Sequence, residues 1–530
     1  MKSTPAVCSW TSTLPTVSPW DLAYRASQIS GDRELSRAIQ KKEINAILAF
    51  DCVSGDPHQV FWRRQAVAFF KKNETFCDTE KLEETSFDTF LRFEKLCRET
   101  NEIFLLRRYG SFRFDPYVDS ILHAARRKIQ RWLGDLPSLS ELKFQFGPGA
   151  STSCKKLTSA RHKLGADVTC SFELYSDLEC FHDQTPSWPW TLNDVQAQFG
   201  ELKFVPKSVT ALRSIVIEPL LNTFYQKGIG QYMKGCLKRA GCDLRKDQSR
   251  NQDLARLGSI TNSLATIDLS SASDSLSYRL VEELLPDDWF RLLCSLRTGV
   301  VSYKETTIKL EKFSSMGNAF TFELESLIFY ALATSIVDYR LHDAVSVYGD
   351  DIIIPSPYYR ELKVVLSACG FEINLKKSYS DGPFRESCGK DFLLGENVRP
   401  YFLKEEVSAK TLMSLHNFMY RRGENRFASW IEDLIPKSFR TYGPDGFGDG
   451  HLLAEVYGQC PLGLRARGYH GLTFSTYALK ARRHMKPTKG DEVLPVYSIY
   501  VREDPESLPI DHYVVRGSFG VRKIHIYTFA

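Results

Sequence analysis

The sequence predicts an α+β fold, an antiparallel sheet covered by helices on one face, and three features lead to it. Leu264-Ala265-Thr266-Ile267-Asp268-Leu269 reads as a buried strand. Ala344 to Pro355 reads as a β-hairpin, with two β-branched runs on either side of Tyr348-Gly349-Asp350-Asp351. Helical spacing follows each: Leu280, Val281 and Leu284 ahead of Pro286, then Leu362, Val365, Leu366 and Cys369 ahead of Gly370.

Each element has a local cause. Ser270 to Ser277 supplies N-cap candidates for the first helix, and Ser356-Pro357 opens the second. Gly370 is its natural stop, and Phe371 to Leu375 is expected to be a further strand. Upstream, Phe87, Phe90, Leu91 and Cys97 keep helical spacing, with Glu94 the one acid on that face. Gly147-Pro148-Gly149 marks a loop, and a basic stretch from Lys155 to Lys163 follows it. There is no internal repeat and no low-complexity linker, so domain borders are soft.

At 530 residues, with 43% hydrophobic and 25% charged residues, the chain suits a globular protein of roughly three or four core-forming units. Its 69 basic and 64 acidic residues leave only +5, so any nucleic-acid path must come from local clusters. The densest are Arg126-Arg127-Lys128 with Arg131, Lys234 to Lys246, and Lys480 to Lys486. Thirteen cysteines without a C-x-x-C pair argue against a disulfide framework or a thiolate zinc site and suit a reducing cytosol. No apolar signal core follows Met1, and the longest apolar stretch, Leu324 to Val337, is short and carries Glu325. The expectation is a soluble intracellular protein that uses no membrane.

The acids name the chemistry. A Gly-Asp-Asp turn alone is more often a solvated turn, and Asp268 alone is more often a helix-capping acid. Together they put carboxylates on two strands, which nucleotidyl transfer requires to bridge two metal ions about 4 Å apart. Asp268 and Asp350 are the expected bridging ligands, with Asp351 as an auxiliary ligand and the Leu269 carbonyl completing one shell. Lys203, Lys207 and Arg213 lie on an extended, Pro-interrupted segment able to curl over a triphosphate; alone it reads equally as an edge strand. Ser314-Ser315-Met316-Gly317-Asn318 is a small-residue loop that lets template or ribose approach, unless it merely caps a helix. Lys376 and Lys377 are candidates to protonate departing pyrophosphate, against the commoner reading of a solvated pair.

These motifs resemble, in chain order, the replicase subunit of the leviviruses, small positive-strand RNA bacteriophages. The resemblance rests on Val205-Pro206-Lys207 to Arg213, Glu218-Pro219, Gln226-Lys227-Gly228, Asp268 to Ser275, Met316-Gly317-Asn318 with Thr321 to Ser326, Tyr348 to Asp351, and Phe384 to Gly389. It implies a right-hand RNA-directed RNA polymerase: residues 1–110 bracing fingers and thumb, fingers at 111–260, palm at 261–404, thumb and C-terminal region at 405–530. By the same resemblance Asp268, Asp350 and Asp351 hold two Mg²⁺ ions, with Mn²⁺ or Ca²⁺ as substitutes. Lys207 and Arg213 then meet the triphosphate, while Asp274, Gly317 and Asn318 sense the ribose. Asp268 and Asp274 are six residues apart, where many animal-virus polymerases have five. Implied partners are template and product RNA, ribonucleoside triphosphates, the host elongation factors Tu and Ts, and a host RNA-binding ribosomal protein, in the cytoplasm of the bacterial host. Arg421-Arg422, Arg465, Arg467 and Lys480 to Lys489 would contact the product strand.

A reverse transcriptase shares the acid hairpin but needs a bulky residue shortly after the first acid, and Ser270-Ser271-Ala272-Ser273 is small. A non-catalytic RNA-binding assembly protein leaves the order of the acid motifs unexplained, and a metal-dependent nuclease does not need the cationic segment.

Overall fold

Leu264–Ile267 pairs antiparallel with Asp351–Pro355, which pairs antiparallel with Ser346–Tyr348, so the strand leaving the acid turn is the central one. The computed structural model describes residues 9–527 except 51, 157, 183–184, 186–187, 189, 456, 458–470, 480–488 and 502–518. All four residues of Leu264–Ile267 are buried, which is why that strand reads as an unbroken apolar run. Helix Asp247–Thr261 packs on all three strands, and helix Thr321–Ile336 packs on Ser346–Tyr348. The fold is α+β.

Phe371 to Leu375 is not the strand expected. Its one ladder contact is an antiparallel bridge from Ile373 to Leu269, and Tyr379 makes another to Thr266. Between the bridges the chain turns, because the Asn374 carbonyl accepts the Lys377 N–H at 3.0 Å. Gly370, at φ 87°, does end the preceding helix, Tyr359–Ala368. Ser356–Tyr358 forms a separate 3₁₀ turn before that helix. Ser277 sits at the N-cap of Tyr278–Leu284 without a side-chain capping bond.

A second sheet runs in the order Ala211–Ile217, Gly200–Ser208, Val300–Tyr303, Thr306–Lys309. Its first two strands are antiparallel, with a register shift between Pro206 and Ser208, where proline has no N–H for the ladder. Phe90 of the long helix Thr79–Arg108 packs with Leu202, Val216 and Val301 of this sheet.

One core runs from Phe104 through Ile267, Leu269, Val347 and Ile352 to Val501, crossing residue 260 without interruption. Another joins Trp10 to Phe70 with Phe384 to Leu452, so the N-terminal helices are sealed by residues that follow the acid hairpin. The Gly147-Pro148-Gly149 loop is held from beneath: buried Lys163 donates to the Gly147 and Gly149 carbonyls at 2.7 and 2.8 Å. No helix among the described residues is long and apolar enough to cross a membrane. Arg421 is paired with Asp445 and Asp449, and Arg422 lies over the Phe61 ring, so both are engaged within the chain. Arg465, Arg467 and residues 480–488 of the basic cluster lie outside the described residues.

Candidate active site

The acid turn is built by one glycine and one helix. Gly349 has φ 61° whereas Asp350 is not left-handed, the pattern of a two-residue hairpin turn that takes glycine first. A Cβ on Gly349 would lie 2.6 Å from Phe322 Cε2. The Gly349 N–H donates to Ser326 Oγ at 3.0 Å, and the Phe322 and Tyr348 rings meet edge to face at 4.8 Å. The start of Thr321–Ile336 therefore fixes the turn that presents Asp350 and Asp351.

Asp268 stands one residue past the last paired position, Ile267 with Ile352, and so level with Asp351 in register. Its carboxylate accepts from Asn374 Nδ2 at 2.8 Å and lies 3.8 Å from Lys377 Nζ. Its backbone N–H donates to Ser378 Oγ at 3.0 Å, and that hydroxyl donates back to the Asp268 carbonyl at 3.2 Å. The bridged segment of Ile373 to Tyr379 is thus what brings Lys377 to the acids. Leu269, the expected carbonyl ligand, is buried beside it.

Burial, and then the Asp268 charge, raises the pKa of Asp350. Burial, and then Asp350, pushes Asp351 up to about 7. Asp351 also accepts from Ser387 Oγ at 3.4 Å, in the Phe384–Ser387 strand. In that strand, fully buried Arg385 donates from Nε to the Leu264 carbonyl at 2.6 Å, anchoring the Asp268 strand at its far end. Three acidic groups are therefore held close enough to repel one another. Among the described residues, no three His, Cys, Asp or Glu side chains form a ready metal cage.

The cations converge on the same place. Burial works to lower the Lys377 pKa, but Asp268, Glu386, Asp351 and Asp350 together raise it. Lys207 is lowered, first by burial and then by Arg213 and Lys377, while Asp268 and Asp350 pull it the other way. Lys207 thus lies in the field of the acids, with Arg213 beside it, whereas Lys203 is paired with Glu201 at 3.1 Å.

Asp274 is fully engaged within the chain. One oxygen lies 2.7 Å from Lys312 Nζ and the other accepts from Ser214 Oγ at 2.7 Å. Gly317, at φ 118°, presses on Val216: a Cβ there would fall 2.0 Å from the Val216 carbonyl oxygen. Asn318 is buried and its Nδ2 has no hydrogen-bond partner, although its Oδ1 accepts the Phe320 N–H at 3.0 Å. An orphaned buried donor of this kind is costly unless something accepts from it.

Glu325 was missed. Burial, then Asp350, pushes its pKa up to about 8, and its Oε1 has no partner. Two acids, Glu323 and Glu325, in an otherwise apolar helix are the signal the sequence carries for it. Lys312 and Asn374 were missed as well; nothing in their local sequence distinguishes them.

Curated relatives carry matching names. The "RNA-directed RNA polymerase subunit beta" of Enterobacteria phage SP is 38% identical over 414 residues, 74% of this chain and 70% of that one. The protein of that name from Escherichia virus Qbeta is 38% identical over 400 residues, covering 72% and 66%. The "RNA-directed RNA polymerase beta chain" of Escherichia phage MS2 is 45% identical over 204 residues, covering 38% and 37%. Among solved structures, the RNA-dependent RNA polymerase of a human picorbirnavirus aligns with a TM-score of 0.32 at 14% identity, over 45% of this chain and 55% of that one. The family model described as RNA replicase, beta-chain, matches residues 26–471, and the chain belongs to that family.

Proposed function

We propose that this chain is a viral RNA-directed RNA polymerase that extends RNA on an RNA template from ribonucleoside triphosphates, the activity its relatives are named for. The observation that carries this reading is geometric: Asp268 stands level with Asp351 across paired strands, beside the turn that holds Asp350, with Lys377 Nζ 3.8 Å from Asp268. Asp350 and Asp351, both of raised pKa and crowded beside Asp268, are a donor set that suits a hard dication, and the unpartnered Glu325 oxygen adds to the uncompensated polarity. Asp268, Asp350 and Asp351 would hold Mg²⁺, with the Leu269 carbonyl completing a shell. Bound there, two such ions would supply activation of the primer 3′-oxygen and charge neutralisation on the triphosphate.

The chain's own residues do the rest. Lys207 and Arg213 bind the triphosphate, and Lys377 faces the departing pyrophosphate. Asn318, whose buried Nδ2 lacks an acceptor, senses the ribose, with Gly317 setting the loop's approach and Asp274 placing the neighbouring segment. The right-hand arrangement has residues 111–260 as fingers, 261–404 as palm and 405–530 as thumb. The packing of Trp10 to Phe70 against Phe384 to Leu452 supports a bracing role for residues 1–110. The word subunit in the relatives' names suits an assembly with host chains, among them elongation factors Tu and Ts and a ribosomal protein, in the bacterial cytoplasm.

The test is incorporation of labelled ribonucleotides, with deoxyribonucleotides in parallel, on a C-rich RNA template with Mg²⁺ and bacterial extract. Wild type is expected to incorporate ribonucleotides only, and Asp350→Asn to incorporate none while still binding RNA. Equal activity of the two proteins would overturn the assignment, and use of deoxyribonucleotides would turn it toward reverse transcription.

A further inference from the structure

We propose that Lys71 and Lys72, where helix Pro57–Lys71 ends, bind the triphosphate of the incoming ribonucleotide and extend the cation set of Lys207 and Arg213 outward. The inference rests on the polymerase reading above. No motif marks these lysines; tertiary packing places them.

The end of the helix is pinned to the cationic hairpin. The Lys71 carbonyl accepts the Val209 N–H at 3.1 Å, two residues beyond Lys207. On the other side, Lys72 Nζ stands 4.4 Å from the centre of the Phe402 ring, and the Arg399 guanidinium is 5.0 Å from that centre. The Glu74 N–H donates to the Lys404 carbonyl at 3.0 Å, closing the chain around this corner. Lys71, Lys72 and Lys207 all lie within the field of Lys377, itself 3.8 Å from Asp268. Lys377 is the hinge point between the acids and both groups of cations.

Charge is in surplus here. Lys71, Lys72, Lys207 and Arg213 make no ion pair with the described residues, and Lys71, Lys207 and Arg213 are exposed. The carboxylates nearest Lys71 are already taken: Asp391 pairs with Arg64 and Arg399, and Glu386 pairs with Arg399. The C-terminal end of a helix is a favourable place for cations, which explains why lysines are tolerated but not what they serve. The Lys71 head reaches solvent, but the desolvation of its surroundings and the Arg64 and Lys377 charges outweigh Glu386 and Asp391 and lower its pKa, while Lys72 is lowered by burial and by Arg399, Lys404 and Lys377; a polyanion seated on these unpaired cations would relieve both. Lysine heads grip phosphate as compact point charges. The Phe402 ring is flanked by Lys72 and Arg399, so the patch offers charge rather than a base-stacking platform. A nucleotide's triphosphate suits it better than a single-stranded RNA path.

The experiment varies GTP in the full chain with bacterial extract on the C-rich template, for wild type, Lys71→Gln, the double variant Lys71→Gln with Lys72→Gln, and the matching double arginine variant. The KM for GTP is expected to rise about tenfold in the double glutamine variant with kcat within about twofold, and to stay near wild type with arginine. Tripolyphosphate should inhibit the glutamine variant about tenfold more weakly. If the double variant does not fold, exposed Lys71→Gln alone carries the test, with about a threefold rise. An unchanged KM overturns the proposal, as does loss of template affinity at constant KM, which would give the lysines to RNA. A wild type that incorporates nothing would instead sink the polymerase reading.

Discussion

Lys312 Nζ lies 2.7 Å from Asp274 Oδ1, and the same ammonium is 3.5 Å from Glu94 Oε1. Lys312 is 1% exposed, so a single buried cation ties the long helix Thr79–Arg108 to the segment that follows Asp268. The Cys97 thiol adds a contact to the Asp274 carbonyl at 3.3 Å. The Asp274 carboxylate is therefore spent on Lys312 and Ser214, and what it offers its surroundings is the backbone it anchors.

Removing this cation should be costly. Lys312→Met would strand Glu94 and Asp274 without their counter-charge and is expected to lower stability by about 3–5 kcal/mol. The double variant Lys312→Met with Asp274→Asn should recover part of that loss, because only Glu94 stays uncompensated. Urea denaturation of the three proteins measures the difference. An unchanged midpoint in Lys312→Met would mean that the pair is not desolvated.

Two glycines with positive φ should respond differently to alanine. In Gly349→Ala the new Cβ meets the ring of partly exposed Phe322, a side chain rather than backbone, and the cost is expected to be about 1–3 kcal/mol. In Gly317→Ala it meets the Val216 carbonyl oxygen at 2.0 Å, and that strand is also held by the Val216 N–H donating to the Met316 carbonyl at 2.8 Å. Gly317→Ala should therefore lose more ribonucleotide incorporation and more stability than Gly349→Ala. The reverse order in paired activity and urea measurements would contradict this geometry.

Glu218 gives a pH signature remote from the acid turn. It is buried, accepts from Gln226 Nε2 at 3.1 Å and from the Thr298 hydroxyl, and burial pushes its pKa up to about 7 from an ordinary 4.5. Below about pH 4.5 both folded and unfolded chains carry it protonated. Between there and about 7 the unfolded chain ionises first, so stability drains as pH rises, and the loss is complete above 7. Glu218→Gln keeps an acceptor for both donors and removes this dependence. It should gain up to about 3 kcal/mol on wild type between pH 4.5 and 8, read from denaturation midpoints at the two pH values. A gain independent of pH would mean that Glu218 titrates normally.

The acid turn was legible because its determinants are local: a period-two apolar run, a glycine and two acids fix the turn and its end of the sheet within a dozen residues. Asp268 was legible for the same reason. Phe371 to Leu375 reads as a strand because Phe371 and Ile373 pack on the core, but Leu375 is exposed and the Asn374 carbonyl closes a turn with the Lys377 N–H, and composition does not report that choice. Glu94, Lys312 and Lys71 are illegible because each meets its partners only through tertiary packing, Glu94 with Lys312, Lys312 also with Asp274, and Lys71 with Val209; their meaning exists only after the second sheet closes on the N-terminal helices. The thumb contacts read from Arg465, Arg467 and the Lys480 cluster fall on residues the structure does not describe.

Lys377 distinguishes a held charge from a transferred proton. Its pKa is raised because the acids around it outweigh its burial, so it stays an ammonium through the neutral range and is a poor proton donor there. In the reaction proposed above, a cation held 3.8 Å from Asp268 would stabilise negative charge as pyrophosphate leaves. Arginine keeps that charge and gives up no proton, so Lys377→Arg should retain incorporation within about tenfold of wild type, whereas Lys377→Met should lose about a hundredfold or more. The rates of wild type and Lys377→Arg should run parallel from about pH 6 to 9, since neither group titrates in that window. A wild-type rate that falls with rising pH, with a dependence that arginine abolishes, would show the lysine proton itself moving to pyrophosphate. In that case both variants should be equally slow, because arginine fills the space and the charge but withholds the proton.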